Sequence, residues 1–216
     1  MTPTTSAFIR CRIALRAMGA VVLAAGLAAC ATAPPLQTAS DQQAIVQVQT
    51  YLDGLQHFKA HFTQTGTDGV ADGYVWLDRP GRLRVAYVRP APKLILANHG
   101  RLLLVDQLTG ATSNMPVSRT PLDILLSPQV QLVGAKLAVT SVAAQPGALQ
   151  IGVVKAAAPT QGRLTLHFTL DPVRLVGVVV QDSTGRTNTL ALTDLERSAG
   201  FSPDLFQYVP VASPPS

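Results

Sequence analysis

Residues 41–64 read Asp-Gln-Gln-Ala-Ile-Val-Gln-Val-Gln-Thr-Tyr-Leu-Asp-Gly-Leu-Gln-His-Phe-Lys-Ala-His-Phe-Thr-Gln, and the period of the apolar residues changes partway through. Ala44, Ile45, Val48, Tyr51, Leu52 and Leu55 recur at spacings of three and four, while Gln42, Gln43, Gln47, Gln49 and Asp53 fill the other face. This is the pattern of an amphipathic helix. Ser40 or Asp41 caps its start, and after about four turns it ends near residues 54–57. From Phe58 the period is two: Phe58, Ala60 and Phe62 alternate with Lys59, His61 and Thr63. A helix therefore gives way to a strand with one face toward a core.

The period of two then persists. Strand-like runs are predicted at 74–79, 83–88, 93–97, 102–106, 137–143, 149–155, 164–170, 175–181 and 189–195. Turn signals separate them, among them Asp72-Gly73, Pro80-Gly81, His99-Gly100, Pro146-Gly147, Asp171-Pro172 and Thr184-Gly185. Many short strands so punctuated indicate an antiparallel barrel or sandwich. One segment differs. Thr120-Pro121-Leu122-Asp123-Ile124-Leu125-Leu126-Ser127-Pro128 has a capping residue, Pro at the first helical position and a Pro stop, so a short helix is predicted over 121–127. Residues 202–206 read as a further single turn. A sheet with one long and one short helix closes either over a filled core or over a hollow one, and periodicity does not separate the two.

Upstream, Arg10, Arg12 and Arg16 precede an apolar run at 18–29. Residues 1–29 read as a secretory signal. Leu27-Ala28-Ala29-Cys30 resembles the lipobox of bacterial lipoproteins, which makes Cys30 the candidate lipidation site and new N-terminus. An ordinary signal with a chance Cys is the alternative. Residues 30–40 are small, Pro-bearing and read as a flexible leader, residues 41–210 as the folded domain, and 211–216 as a disordered tail. Cys11 falls within the signal, so the mature chain holds at most Cys30 and no internal disulfide.

Composition excludes other classes. Of 216 residues, 13% are charged and 47% hydrophobic, which is ample for a core and unlike a disordered chain. No apolar run reaches the roughly eighteen residues of a spanning helix. The formal charge of +5 comes from 17 basic and 12 acidic residues; without Arg10, Arg12 and Arg16, 17 less 3 leaves 14 against 12, or about +2. That and the 5% aromatic content argue against nucleic acid. No Gly-x-Ser-x-Gly, His-Glu-x-x-His, Cys-x-x-Cys or phosphate-loop pattern occurs. Glu196 is the one Glu in the chain. His57 and His61 are four apart at the change from helix to strand, so their spacing does not define a shared metal-binding face. No enzyme activity, cofactor or metal is expected.

Three stretches carry a resemblance. Residues 51–64, with Phe62-Thr63-Gln64, are similar to the opening helix and first strand of the outer-membrane lipoprotein carrier family (LolA). Gly73-Tyr74-Val75-Trp76-Leu77-Asp78-Arg79-Pro80-Gly81-Arg82-Leu83-Arg84 is similar to its second hairpin, centred on Arg-Pro. Residues 170–206, with Asp204-Leu205-Phe206, resemble its closing strands. The resemblance implies a mainly β fold: an incomplete antiparallel β-barrel, or half-barrel, covered by a long N-terminal helix and a short lid helix. It also implies a hollow interior and a monomer that carries triacylated lipoproteins across the periplasm, from an inner-membrane lipoprotein exporter complex to an outer-membrane acceptor. Three acyl chains hold about 45 methylene-like groups at roughly 0.8 kcal/mol each, so unaided passage through water is negligible.

By alternation, Arg79 shares a face with Val75 and Leu77, while Tyr74, Trp76 and Asp78 share the other. The resemblance implies that Arg79 bonds main-chain carbonyls of the lid and holds the empty cavity closed. Read from its residue alone, Arg79 is a solvated side chain beside a turn. The acyl-chain lining is assigned to Val75, Leu77, Leu83, Val85, Leu122 and Leu125. Trp76 and Tyr74 are expected to pack under the helix, with acyl contact as the alternative. The lipobox departs from the carrier pattern and raises two other readings: an outer-membrane-anchored lipoprotein acceptor (LolB-like), which the same fold also serves, and an anchored envelope scaffold with a filled core.

Overall fold

The computed structural model describes residues 39–209. The signal 1–29, Cys30 and the tail 211–216 lie outside the described residues. Helix α1 spans Ala39–Asp53. Ser40 and Asp41 are thus in its first turn rather than at its cap, where the acid of Asp41 complements the helix dipole. Ala44, Ile45, Val48, Leu52 and Leu55 are buried, the stripe that the spacing of three and four marks out. Leu55 N–H donates to Leu52 O at 3.1 Å as the helix unwinds, and strand β1 begins at His57.

The strands are β1 (His57–Gly66), β2 (Ala71–Asp78), β3 (Arg82–Arg89), β4 (Lys93–Asn98), β5 (Arg101–Asp106), β6 (Thr112–Pro116), β7 (Leu137–Gln145), β8 (Ala148–Lys155), β9 (Gly162–Leu170), β10 (Val173–Asp182) and β11 (Thr187–Arg197). They form one antiparallel sheet in the order β6-β5-β4-β3-β2-β1-β11-β10-β9-β8-β7. Two meanders are therefore joined where β1 pairs with β11, for example Phe62 opposite Leu192. β6 and β7 are left as the free edges. The sheet curls but does not close, and the chain crosses from one edge to the other through residues 117–136. These residues hold helix α2 (Leu122–Leu126). This is the incomplete barrel covered by helices.

No run of period two marks β6. Thr112-Ser113-Asn114-Met115-Pro116 is exposed on both faces for most of its length, so no alternation marks it. An edge strand ending in Pro needs none.

Strands β1 and β9 follow the alternation rule most clearly. In β1, Phe58, Ala60, Phe62 and Gln64 are buried. Phe58, Ala60 and Phe62, with Val75, Leu77, Leu83, Val85, Leu149, Ile151, Leu164, Leu166 and Phe168, form a single cluster on the concave face beneath α1 and α2. A smaller cluster lies on the convex face. Leu94, Leu96 and Val105 pack with Tyr208 there. The turn Pro203–Phe206 docks beside it, with Arg84 Nη1 donating to Leu205 O at 2.9 Å. Gly73 lies at a bulge where β2 meets β3. A Cβ there would sit 2.1 Å from Ala86 O, so only Gly lets these strands approach.

Candidate functional site

The site is built where both helices end against the β2–β3 turn. Pro121 is buried just before α2, and Ile124 and Leu126 turn inward from it. Helices leave their last carbonyls without intrahelical partners. α2 ends at Leu126 and α1 at Asp53, which leaves places for a donor on Leu125 O and for a second donor on Leu52 O, beside Leu55 N–H. Arg79 supplies them. Its Nε donates to Leu125 O at 2.7 Å and its Nη1 to Leu52 O at 3.2 Å. A guanidinium suits this task, since it offers donors in two directions from one rigid plane. Arg79 is 4% exposed. Burial lowers its pKa to about 10, against the nearby Asp53 charge, which raises it. It therefore stays charged at neutral pH. The adjoining backbone reinforces the contact: Arg79 N–H donates to Gln56 O at 3.0 Å and Gly81 N–H to Leu126 O at 2.9 Å.

A second clamp holds the segment after α2. The Gln49 side chain, on α1, donates from Nε2 to Val130 O at 3.0 Å and accepts at Oε1 from Leu132 N–H at 2.8 Å. Val130 and Leu132 are almost fully buried. The sequence places Gln49 on the polar face of the helix, and it does sit there. Nothing in its spacing says that this face meets another main chain.

Val75, Leu77, Leu83 and Val85 are buried on the concave face, on the same side as Arg79. Leu122 and Leu125 are half-buried and pack against that cluster, while Ile124 and Leu126 are the deeper residues of α2. Tyr74 and Trp76 differ from expectation. They do not pack under the helix. They lie on the opposite, convex face, Tyr74 49% exposed, with ring centroids 6.0 Å apart and His61 edge-on to Tyr74. The strand alternation that turns Val75 and Leu77 inward necessarily turns these two outward.

Asp78 is also on that outer face, yet it is fully buried. It contacts the His57 ring, and Arg82 Nη2 reaches its Oδ2 at 2.7 Å. Arg82 in turn lies 5.5 Å over the Phe206 ring. Arg82, lying over the Phe206 ring, and His57 thus partner a carboxylate that alternation alone would leave in water. His61 instead faces Thr193 Oγ1 at 3.3 Å, so the two histidines have separate partners. Among the described residues, no group of three or more His, Cys, Asp or Glu is placed to hold a metal.

Three clefts open elsewhere. One, of about 650 Å³, lies among the ends of β1, β3, β4 and β5. A second, of about 500 Å³, lies beside Tyr51 and Arg197, and a third, of about 340 Å³, beside Tyr74 and Trp76. None of these three is lined by the six residues assigned to the acyl chains.

The family model for outer membrane lipoprotein carrier protein LolA matches residues 53–209. This chain belongs to the LolA family. The match begins at the last residue of α1 and takes in every strand, α2 and Arg79. An outer-membrane lipoprotein carrier protein of Chromohalobacter salexigens is 25% identical over 184 residues, covering 81% of this chain and 86% of that protein. One of Methylococcus capsulatus is 25% identical over 176 residues, covering 77% and 83%.

In this LolA-family protein, Arg79 hydrogen-bonds the carbonyls of Leu125 and Leu52 near the C-terminal ends of both helices. Gln49 and the Asp78 cluster add contacts that the three sequence stretches did not reveal. Among the described residues, no helix is long and apolar enough to cross a membrane.

Proposed function

We propose that this chain is a periplasmic carrier that takes the acyl chains of lipoproteins into the apolar interior beneath α1 and α2 and delivers them toward the outer membrane. The observation that carries the reading is the Arg79 contact, which ties both covering helices to the sheet through carbonyls alone. A closure made of two charge-assisted hydrogen bonds, each contributing about 1.5–3 kcal/mol, is strong enough to hold and weak enough to open. Acyl chains entering an interior lined by Leu, Ile and Val contribute non-directional contact, which suits a ligand recognised by its chains. Reclosing of Arg79 on Leu125 and Leu52 then competes with the cargo and favours its release. In this scheme an inner-membrane exporter complex loads the protein, an outer-membrane acceptor unloads it, and the carrier works as a monomer without bond-making chemistry. The names of the two relatives support the same class of cargo.

The test is direct. The chain from Ala31 onward should bind an apolar fluorescent dye, and a synthetic triacylated cysteinyl lipopeptide should displace it. Absence of both uptake and displacement would instead favour an envelope scaffold with a filled core.

Leu27-Ala28-Ala29-Cys30 favours a second form of the reading, a protein anchored through lipidated Cys30, either a tethered carrier or an outer-membrane acceptor. The mass of the mature N-terminal peptide separates the forms. Acylated Cys30 is expected for the anchored form; an unmodified N-terminus downstream of Cys30 leaves the diffusible carrier.

A further inference from the structure

The latch and the 650 Å³ cleft lie at opposite ends of the same strands. β2 runs from Ala71, on the cleft wall, to Asp78, beside Arg79, a distance of about 25 Å along an extended chain. Tyr87, Ile95 and Leu104 line the cleft and also pack against the concave-face cluster. One side of it is therefore the fringe of the apolar interior, while Leu94 and Val105 of the convex-face cluster line another. Gln64 closes the inner wall and is 4% exposed. Tyr87 Oη donates to Gln64 Oε1 at 2.8 Å, and the Tyr87 ring meets Phe62 edge-on at 5.2 Å. Burial raises the Tyr87 pKa, with the Asp68 charge adding to it, so the phenol keeps its proton at neutral pH. That proton marks Oε1 as the acceptor and leaves Nε2 as the donor. The partner of Nε2 is Asn188 Oδ1 at 3.4 Å, long for an amide N–H, so its donor capacity is underused. The rim carries two acids and two bases, Asp68, Asp106, Lys93 and Arg186. Asp68 is already paired with Arg186, and Asp106 accepts from the N–H groups of Leu108 and Thr109. The rim has no net charge to offer an anion.

We propose that this cleft is the mouth of the acyl-chain site and seats the neutral, carbonyl-bearing head of an acylated ligand. An ester or amide C=O accepts from Gln64 Nε2. The chains run inward over Ile95 and Leu104, past Tyr87. The polar remainder leaves across the rim. This rests on the carrier reading and adds which end of the sheet receives the head, by what contact, and with what selectivity. The glyceryl ester of a lipoprotein and a free diacylglycerol share this chemistry.

The experiment uses the mature full-length chain with a bound apolar dye. Its competitors are a tripalmitoylated cysteinyl lipopeptide, dipalmitoylglycerol and dipalmitoyl phosphatidylglycerol. Gln64→Leu should weaken the lipopeptide about 5–10-fold, the size of one lost hydrogen bond, with dye affinity unchanged. Ala111→Trp, on an exposed turn at the rim, should obstruct the head and weaken the lipopeptide at least as much, with an unaltered unfolding midpoint. Wild-type lipopeptide affinity in both variants overturns the mouth and leaves the carrier reading intact. Failure of the lipopeptide to displace dye from the parent protein overturns the carrier reading and the mouth together. Equal competition by dipalmitoylglycerol supports the mouth with a free lipid as its source, and a tenfold preference for the lipopeptide supports lipoproteins. Competition by phosphatidylglycerol stronger than both overturns the neutral head.

Discussion

Arg79→Leu is expected to fold and to load acylated cargo, and to hand on less than a tenth of what the parent protein delivers. The reasoning starts from what leucine removes. The guanidinium is almost fully buried, so the substitution also removes a desolvated charge, and a leucine of similar bulk fits beside Val75 and Leu77. The fold is held by the strand ladder and the concave-face cluster, which Arg79 does not build. The losses fall on the closed arrangement of the helices. Leu125 O is left without its donor, while Leu52 O retains the Leu55 N–H. An orphaned buried carbonyl costs about 1–3 kcal/mol, and the lost charge-assisted bonds add to it. If closure loses about 2–3 kcal/mol, the loaded state is favoured by roughly 30–150-fold. Cargo then enters and stays. The measurement is transfer of a fluorescent lipopeptide from the loaded protein to acceptor vesicles, beside a thermal unfolding curve. Normal transfer would sink the latch. Arg79→Lys is a useful companion, because an ammonium reaches one carbonyl but lacks the fork that serves two.

Phe168→Ala should act on stability instead. Phe168 is 1% exposed and sits on the concave face with its ring 6.2 Å from Tyr51 of α1, edge to face. Truncating a buried Phe costs about 3–5 kcal/mol through lost transfer energy and the cavity left behind. For a domain of this size that corresponds to a fall of roughly 10 °C in Tm. Thermal unfolding followed by circular dichroism checks it. A midpoint within a degree or two of the parent would mean that Phe168 lines open space rather than packed core. Trp76→Ala, on the half-exposed outer face, is the control and should move the midpoint far less.

Several features follow from residue order alone. The stripe of Ala44, Ile45, Val48, Leu52 and Leu55 and the alternation of Phe58, Ala60 and Phe62 specify which sides are buried, and both are buried. Helix α2 is legible because Pro121 and Pro128 bracket it. β6 is not, because a polar edge strand leaves no alternation to read. Asp78 shows the limit of alternation. The rule puts it outward correctly, but whether outward means water depends on Arg82 and His57 meeting it, with Arg82 lying over Phe206. Tyr74 and Trp76 show the converse. They are expected to pack under the helix, while their register with Val75 and Leu77 sends them to the convex face.

The Arg79 contacts mark the division most sharply. Sequence by itself determines that Arg79 shares a face with Val75 and Leu77; that two helices cover the barrel is what the family resemblance implies. It does not determine what the guanidinium meets. Its partners lie 46 residues later at Leu125 and 27 residues earlier at Leu52, and both are main-chain carbonyls. Every residue carries such a carbonyl, so neither contact leaves a mark in side-chain identity or spacing. The same holds for Gln49 with Val130 and Leu132, and for β1 with β11. Only the tertiary arrangement decides which helix end is left short of a donor, and which buried cation stands within reach of it.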